Sequence, residues 1–491
     1  MVHCHMYYGQ FVLAPRNGFQ NVHELSIIEI DEDTNLYSGP GVRVIQVLNG
    51  ERQHWVLVGE AYQSAPDRPS PADELRTATL STIEDVVSHW SGRWALIGYG
   101  HVLTDASAML RCHYVMIDDP DIQTLHCYVF SSPNALQDIP HYAHTADPVE
   151  DIRALASGWV APPRSGYKQV RLLLPSQALN YRNGKIEPRD VFSRAAQLGD
   201  YTQQIQEICR RYTTIMGNMA KANDNLWIAL SGGRDSRLVL CAAHAAGVCA
   251  KTYTFERSHF LMSEADRYLP SQISSTLGYV HHSVQRKKAQ PEKHQLFDKL
   301  IIAYQRTPSS FYSYYVHGYL DSFGQDAMLV NGLGGELGRG YYAEKISANV
   351  SPRELSRQLY AQTPQNKNGL DELWQWWEKH PIPILDQRER FYWEARLTGW
   401  ASVASYQIHY VMQEQNVQYI PALNCQYVYE RIMHIDERAR VAGGHIKDMI
   451  AYLCPQLSHF PYNPPDPRYK RLASKIKGAP RVIARKLGVN W

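Results

Sequence analysis

Leu226-Trp227-Ile228-Ala229-Leu230-Ser231-Gly232-Gly233-Arg234-Asp235-Ser236-Arg237 is the stretch on which the reading of this chain turns. Leu226 to Leu230 is a short apolar run bounded by the polar stretch Lys221 to Asn225, the pattern of a buried parallel strand. Ser231, Gly232 and Gly233 follow with almost no side chain. Their backbone N–H groups can approach an anion where the next helix presents its positive end. Asp235 then sits where a carboxylate can hold the Mg2+ that accompanies a polyphosphate. The same residues also suit an ordinary strand-to-helix turn with an Asp cap, but the downstream context favours the phosphate reading. Leu238 to Ala250 is an Ala/Leu/Val-rich helical stretch ending near Gly247, and Lys251-Thr252-Tyr253-Thr254-Phe255 is a second strand, a βαβ unit of about thirty residues. Ligands of such units lie at the strand carboxyl ends. Leu230 and Phe255 therefore join Ser231, Gly232, Gly233, Asp235 and Ser236 as candidate nucleotide-binding residues. Ser263-Glu264-Ala265-Asp266 opens a further helix with an acidic first turn.

The loop is not G-x-x-x-x-G-K-[ST], because no Lys follows the glycines and the spacing differs. Ser-Gly-Gly-x-Asp-Ser instead resembles the pyrophosphate loop of ATP pyrophosphatases, which split ATP into AMP and pyrophosphate. A second loop, Met328-Leu329-Val330-Asn331-Gly332-Leu333-Gly334-Gly335-Glu336-Leu337-Gly338-Arg339-Gly340-Tyr341-Tyr342, feeds five glycines around one acid from another apolar run. With it the chain resembles the asparagine synthetase family, where Gly-x-Gly-x-Asp-Glu-x-x-x-Gly-Tyr lies opposite the pyrophosphate loop and supplies the second metal ligand. That resemblance implies that Asp235 and Glu336 share Mg2+, with Glu in place of the more usual Asp. It also implies that Gly332, Gly334 and Gly335 approach ATP. The bland alternative is a glycine-rich turn with an incidental acid. The functional reading requires the two carboxylates to face one another across a cavity.

Upstream, Gly59-Glu60-Ala61-Tyr62, Trp90-Ser91-Gly92-Arg93-Trp94-Ala95-Leu96-Ile97, Leu103-Thr104-Asp105 and Val129-Phe130-Ser131-Ser132 follow the strand order of the glutaminase-like domain of asparagine synthetases. The resemblance implies an αββα sandwich of the N-terminal-nucleophile (Ntn-hydrolase) type. Glutamine hydrolysis there needs a cysteine at the mature N-terminus. This chain opens Met1-Val2-His3-Cys4, so the expectation is a degenerate domain that has lost that chemistry. Relatives without it use other amines: beta-lactam synthetases close a substrate amine onto its own carboxylate, and lasso-peptide cyclases join a peptide N-terminus to an acidic side chain. Where the beta-lactam enzymes carry a Tyr in the second loop, this chain has Leu333, which cannot accept a proton. Tyr312, Tyr314, Tyr315, His317, Glu394 and Glu414 are open candidates for a base, and no pattern chooses among them.

Phe391 to Ala404 has a helical pattern carrying Glu394 and Arg396, followed by Ile420-Pro421-Ala422-Leu423-Asn424. The resemblance places a comparable region over the acyl-adenylate, which makes Glu394 and Arg396 candidate catalytic residues; a buried, paired helix charge is the alternative. Family members also set a lysine over the ATP phosphates after a Pro-rich stretch. Phe460-Pro461-Tyr462-Asn463-Pro464-Pro465-Asp466-Pro467 precedes Arg468-Tyr469-Lys470-Arg471 here, so Lys470 is the candidate. A fixed ammonium there would stabilise charge developing on the leaving pyrophosphate.

At 491 residues the chain is expected to divide into a degenerate glutaminase-like part at 1–165, a bridging segment at 166–200 that includes Val170-Arg171-Leu172-Leu173-Leu174-Pro175, and a synthetase part at 201–491. The fold class is α/β, with a parallel-sheet ATP-pyrophosphatase body and a helical lobe beyond Tyr342. A net charge of +2 argues against general nucleic-acid binding. The last 24 residues, Arg468 to Trp491, carry eight Lys or Arg and no acid. They suit phosphates, an anionic carrier or membrane surface, or simply a solvated helix. No run approaches the roughly 18 apolar residues of a membrane span, no leader is read at the start, and a cytoplasmic protein is expected. Eight cysteines show neither C-x-x-C nor zinc spacing, and the histidines lack a convergent carboxylate pattern.

The activity expected is that of an ATP- and Mg2+-dependent carbon–nitrogen ligase forming an amide bond through an acyl-adenylate. Its partners would be a small-molecule or peptide carboxylate and an amine other than glutamine-derived ammonia, with a precursor peptide or carrier as a further partner. Thiolation or nucleotide hydrolysis at the same loop, and an inactive nucleotide-binding scaffold, are the alternatives. No oligomeric state is encoded in any motif.

Overall fold

Alternation along two long strands sets the architecture of the first part of the chain. In β5 (Gln53–Gln63) Val56 and Val58 enter one apolar cluster while Trp55 and Leu57 enter another, and in β6 (Trp90–Gly98) Ala95 and Ile97 separate from Trp94 and Leu96 in the same way. A sheet with two apolar faces must be covered on both. The computed structural model that shows this describes residues 7–467, apart from 21, 50–52, 120–123, 141, 143–159, 194–198, 257–261, 285–321, 344–346, 348–350, 352–363 and 412–414.

Two six-stranded antiparallel sheets pack face to face. One contains β1 (Phe11–Pro15), β2 (Ser26–Glu29), β3 (Thr34–Ser38), β8 (His113–Asp119), β9 (Thr124–Phe130) and β10 (Arg171–Leu172), in the order β10-β8-β9-β1-β3-β2. The other contains β4 (Val44–Asn49), β5, β6, β7 (His101–Thr104), β11 (Gln177–Asn180) and β12 (Lys185–Pro188), in the order β12-β11-β7-β6-β5-β4. Phe11, Leu13, Leu36 and Val129 of the first meet Val56, Val58, Ala95 and Ile97 of the second. Two short helices, α1 (Pro71–Leu75) and α2 (Ile83–Ser88), cover the far face of the second sheet through Leu75, Ile83 and Val87. The stretch expected as a bridge thus supplies three strands to these sheets before α3 begins.

Helix α3 (Tyr201–Ala222) starts at a capping box formed by Asp200 and Gln203 and buries Ile205, Ile208, Cys209, Tyr212, Ile215, Met216 and Met219 at helical spacing. It lies on a five-stranded parallel sheet of order β15-β14-β13-β16-β17. Its strands are β13 (Leu226–Ala229), β14 (Lys251–Phe255), β15 (His281–Val284), β16 (Met328–Asn331) and β17 (Gln418–Pro421). Helices α4 (Asp235–Ala245) and α5 (Glu264–Thr276) join α3 and the helix Gly444–Leu453 on one face. Trp227, Tyr253, Phe323, Leu329 and Ile408 fill the other. Each fully buried aliphatic or aromatic side chain contributes roughly 1.5–3 kcal/mol of burial.

Beyond Tyr342 the described chain is largely helical. Helix Pro364–Lys379 packs Trp374 and Trp377 against Phe391, Tyr392 and Trp393, and the same cluster takes in Ala106, Met109, Leu174 and Phe192 from the antiparallel part. Residues Tyr392–Ala401 wind as a π-helix between Gln387–Phe391 and Ser402–Val411. Loop 105–111 holds this wide turn: Trp393 Nε1 donates to Ala106 O at 2.6 Å, Thr398 Oγ1 to Ser107 O at 3.2 Å, and Arg111 Nη1 to Ser402 Oγ at 3.0 Å. Among the described residues no helix is long and apolar enough to cross a membrane.

Candidate functional site

Strands β13 and β16 are neighbours and parallel, with Leu226, Trp227 and Ile228 opposite Met328, Leu329 and Val330. Their glycine loops therefore leave the sheet side by side at its carboxyl edge, where the chain order turns outward in both directions. Such a switch point is where open α/β sheets bind ligands.

The first loop is folded tightly on itself. Ser231 N–H donates to Ser236 Oγ at 3.1 Å, Gly233 N–H to Ser231 Oγ at 3.2 Å, and Gly232 N–H to Asp266 Oδ1 of α5 at 2.7 Å. Three amides expected to face an anion are thus engaged with oxygen atoms of the protein, one of them a carboxylate. Helix α4 begins at Asp235 without a side-chain cap from Arg234. Arg237, fully buried, donates to Phe460 O, Pro461 O and Gly232 O at 3.0, 2.9 and 3.4 Å. Asn463 N–H also donates to Gly232 O at 3.0 Å. The Pro-rich stretch therefore lies on the loop as far as the chain is described; Lys470 falls outside the described residues.

The second loop is pressed against the first. A Cβ on Gly332 would stand 2.9 Å from the Asp235 carbonyl carbon, and one on Gly335 would stand 2.9 Å from Asp235 Cβ and 2.7 Å from Leu423 Cδ1. Gly334 has φ +94°, and a methyl there would overlap the Tyr429 hydroxyl. Glycine at these positions is what lets the loops touch. Tyr429 belongs to a buried relay: its hydroxyl donates to Asn424 Oδ1 at 3.2 Å, and Asn424 Nδ2 donates to Asp105 Oδ1 at 2.7 Å. Asp105 is anchored by the N–H groups of Trp94, Ser107, Met109 and Leu110 at 2.9–3.2 Å.

Asp235 and Glu336 converge on one guanidinium. Arg339 Nη2 lies 3.0 Å from Asp235 Oδ2 and 4.0 Å from Glu336 Oε1, so those two oxygens are no farther apart than the sum of these distances. Asp235 Oδ1 and Glu336 Oε2 are buried and have no hydrogen-bond partner. Burial, the largest influence, and the Glu336 charge together outweigh Arg339 and Arg234 and lift the Asp235 carboxyl to about 7. Arg234 is packed against Gly443, whose φ of +66° and missing side chain make room for it. Tyr392 adjoins the pair: burial, then Glu336, raise its hydroxyl well above the ordinary value, while Arg396 and Arg339 lower it.

Two carboxylates with one orphaned oxygen each suit Mg2+, which takes one or two protein carboxylates and completes its shell with water and phosphate oxygens. Among the described residues no group of three or more His, Cys, Asp or Glu forms a denser metal cluster. The cavity that touches Glu336, beside Tyr341 and Tyr392, is about 10 Å3 and is not lined by Asp235, against roughly 300–1,000 Å3 for small-molecule pockets. Larger hollows lie elsewhere, including one of about 760 Å3 beside Asp31, Glu32 and Arg182.

The remaining expected residues are spread around this centre. Leu230 is buried at the end of β13, its N–H donating to Tyr253 O at 2.8 Å and its carbonyl accepting from Thr254 Oγ1 at 2.6 Å. Phe255 packs edge-on to Tyr253 and Phe323 at the carboxyl end of β14. Glu394 is fully buried and accepts from Trp377 Nε1 and, at 3.1 Å, from Arg390 Nε, which is the paired helix charge weighed from the sequence. Arg396 lies over the rings of Tyr341 and Trp400 at 5.0 and 4.9 Å. Tyr312, Tyr314, Tyr315, His317, Glu414 and Cys4 fall outside the described residues. Of the described cysteines, only Cys249 is exposed.

Sequence reasoning missed Arg339, Asp266, Tyr392 and the Asp105–Asn424–Tyr429 relay. Only Arg339 left a signal, a lone cation set between Gly338 and Gly340 in a glycine run whose one other charged residue is Glu336. No protein-family model matches this chain, and no curated protein is detectably similar to it.

Proposed function

We propose that this protein is an ATP-dependent carbon–nitrogen ligase of the asparagine synthetase type, activating a carboxylate as its adenylate for attack by an amine. The observation that carries the reading is the convergence of Asp235 and Glu336 from the carboxyl ends of adjacent parallel strands onto Arg339. In this reading the antiparallel sandwich is a degenerate Ntn-type glutaminase fold, and the parallel sheet is an ATP-pyrophosphatase domain.

Asp235 and Glu336 would hold the Mg2+, which supplies charge neutralisation to the triphosphate when bound. The close-set glycines let the loop backbones approach the nucleotide, and Arg234 and Arg339 are the described cations available to the leaving pyrophosphate in this reading; Lys470, the candidate from the sequence, lies outside the described residues. Holding the carboxylate in line with the α-phosphorus is an orientation effect, which this reading assigns to the aromatic wall of Tyr341 and Tyr392, whose ring centroids lie 5.0 Å apart.

A second reading, an inert nucleotide-binding scaffold, draws support from the engaged amides of Ser231, Gly232 and Gly233. Exchange of labelled pyrophosphate into ATP across a panel of carboxylic acids separates the two. The ligase reading expects acid-stimulated exchange that disappears in Asp235→Ala while the melting curve is retained. Exchange equal in that variant would remove the site assignment, and ATP binding with no exchange for any acid would favour the scaffold.

A further inference from the structure

Arg234, Arg237 and Arg339 border the glycine loops, and the last two are held differently. Arg237 spends two nitrogens on three carbonyls, so it is locked into the fold. Arg339 makes one close contact, 3.0 Å to Asp235, and a loose one, 4.0 Å to Glu336; the Nε of each is buried without a partner, so the difference lies in the terminal nitrogens. A structural arginine normally spends those nitrogens on fixed acceptors, as Arg237 does, because buried unsatisfied N–H groups are costly. Arg339 is also flanked by Gly338 and Gly340, both at positive φ (+82° and +60°), so the backbone on either side can turn where other residues could not. Its guanidinium lies where a cation shared by the two acids would lie.

We propose that Arg339 is the resident counter-ion of the Asp235–Glu336 pair, that a divalent cation displaces it on binding, and that the released guanidinium then serves as a ligand for the polyphosphate. The inference rests on the metal role proposed above for the two acids. Two cations cannot share this space. Loss of the Arg339 charge therefore removes a competitor for the metal and, at the same time, a partner for the anion. A residue that merely propped the acids in place would instead weaken both when replaced.

The test uses the full-length protein at pH 8, with Mn2+ alone and Mn2+ with ATP as probes. Free Mn2+ is followed by electron paramagnetic resonance and ATP by equilibrium dialysis, in wild type, Arg339→Met, Arg339→Lys and Asp235→Asn. The expected result is a pair of opposite shifts in Arg339→Met: Mn2+ alone binds about ten-fold tighter, and ATP in the presence of Mn2+ binds about ten-fold more weakly. Arg339→Lys, which keeps the charge, stays close to wild type for Mn2+ alone. Weaker or unchanged binding of Mn2+ alone in Arg339→Met overturns the exchange, as does unchanged ATP binding. If Asp235→Asn binds Mn2+ as wild type does, the metal role of the acids has failed instead, and the two failures are distinct.

Discussion

Replacing Asp235 by Asn keeps the size of the side chain and removes a charge that its surroundings resist. Burial is the largest influence and acts with Glu336 against Arg339 and Arg234, leaving the carboxyl at about 7 instead of its ordinary 3.8. Between those values the native protein keeps a proton that the unfolded chain has released. The contribution of Asp235 to stability therefore falls as pH rises from about 4 to about 7 and stays at its lowest above that. A difference of about three pH units corresponds to roughly 4 kcal/mol, an upper figure because charge is shared among Asp235, Glu336 and Arg339. Asn cannot titrate, so at pH 8 Asp235→Asn should be more stable than wild type by roughly 1–3 kcal/mol. Thermal midpoints move about 2–4 °C per kcal/mol for domains of 150–250 residues, which makes this a rise of several degrees. Differential scanning fluorimetry in metal-free buffer between pH 4.5 and pH 8 reads it. The gain should shrink steadily towards the acid end. A gain of equal size at both ends, or a loss at pH 8, would refute the electrostatic reasoning.

Gly334→Ala should cost about 2–4 kcal/mol, from positive φ and from overlap with the Tyr429 hydroxyl, and Tyr429→Phe in the same chain should recover part of that loss in the thermal midpoint. Asn424→Leu strips Tyr429 of its acceptor and Asp105 of its side-chain donor, for a cost of roughly 2–3 kcal/mol. Hydrogen exchange at Ser107, Met109 and Leu110, whose amides bond Asp105, should accelerate in that variant; unchanged protection would show that the relay does not bear on the loop. Arg237→Met releases the carbonyls of Phe460 and Pro461, so limited proteolysis should cut near them roughly ten-fold faster than in wild type, in line with a loss of about 1.4 kcal/mol of local stability.

The strands that carry the site were legible because each is a short apolar run closed by small residues. The run read as Leu226 to Leu230 forms a strand over Leu226–Ala229, the second apolar run forms one over Met328–Asn331, and α4 stops at Ala245 with Gly247 at φ +67° just beyond it. Upstream, the quoted segments around Tyr62, Trp94 and Val129 are strands β5, β6 and β9. The partners of each charge were harder to read. Nothing in the period of Phe391 to Ala404 reveals that the turn widens into a π-helix, or that Glu394 faces Trp377 and Arg390. Asp266 looked like a first-turn acid, yet it reaches across to Gly232, because the packing of α5 on the loop is a tertiary fact. Arg339 acquires meaning only once β13 and β16 are known to be adjacent.

The relay from Asp105 through Asn424 to Tyr429 ties the antiparallel sheets to the glycine turn that carries Glu336. A fragment starting at Tyr201 would therefore not be a self-sufficient unit with a dispensable appendage removed. It would expose the Trp377–Trp393 cluster to water and strip Asn424 of the Asp105 carboxylate that fixes it, so the spacing of the two acids would lose one of its supports. Dividing the gene at that point would amount to making two subunits that must find each other again before either is useful.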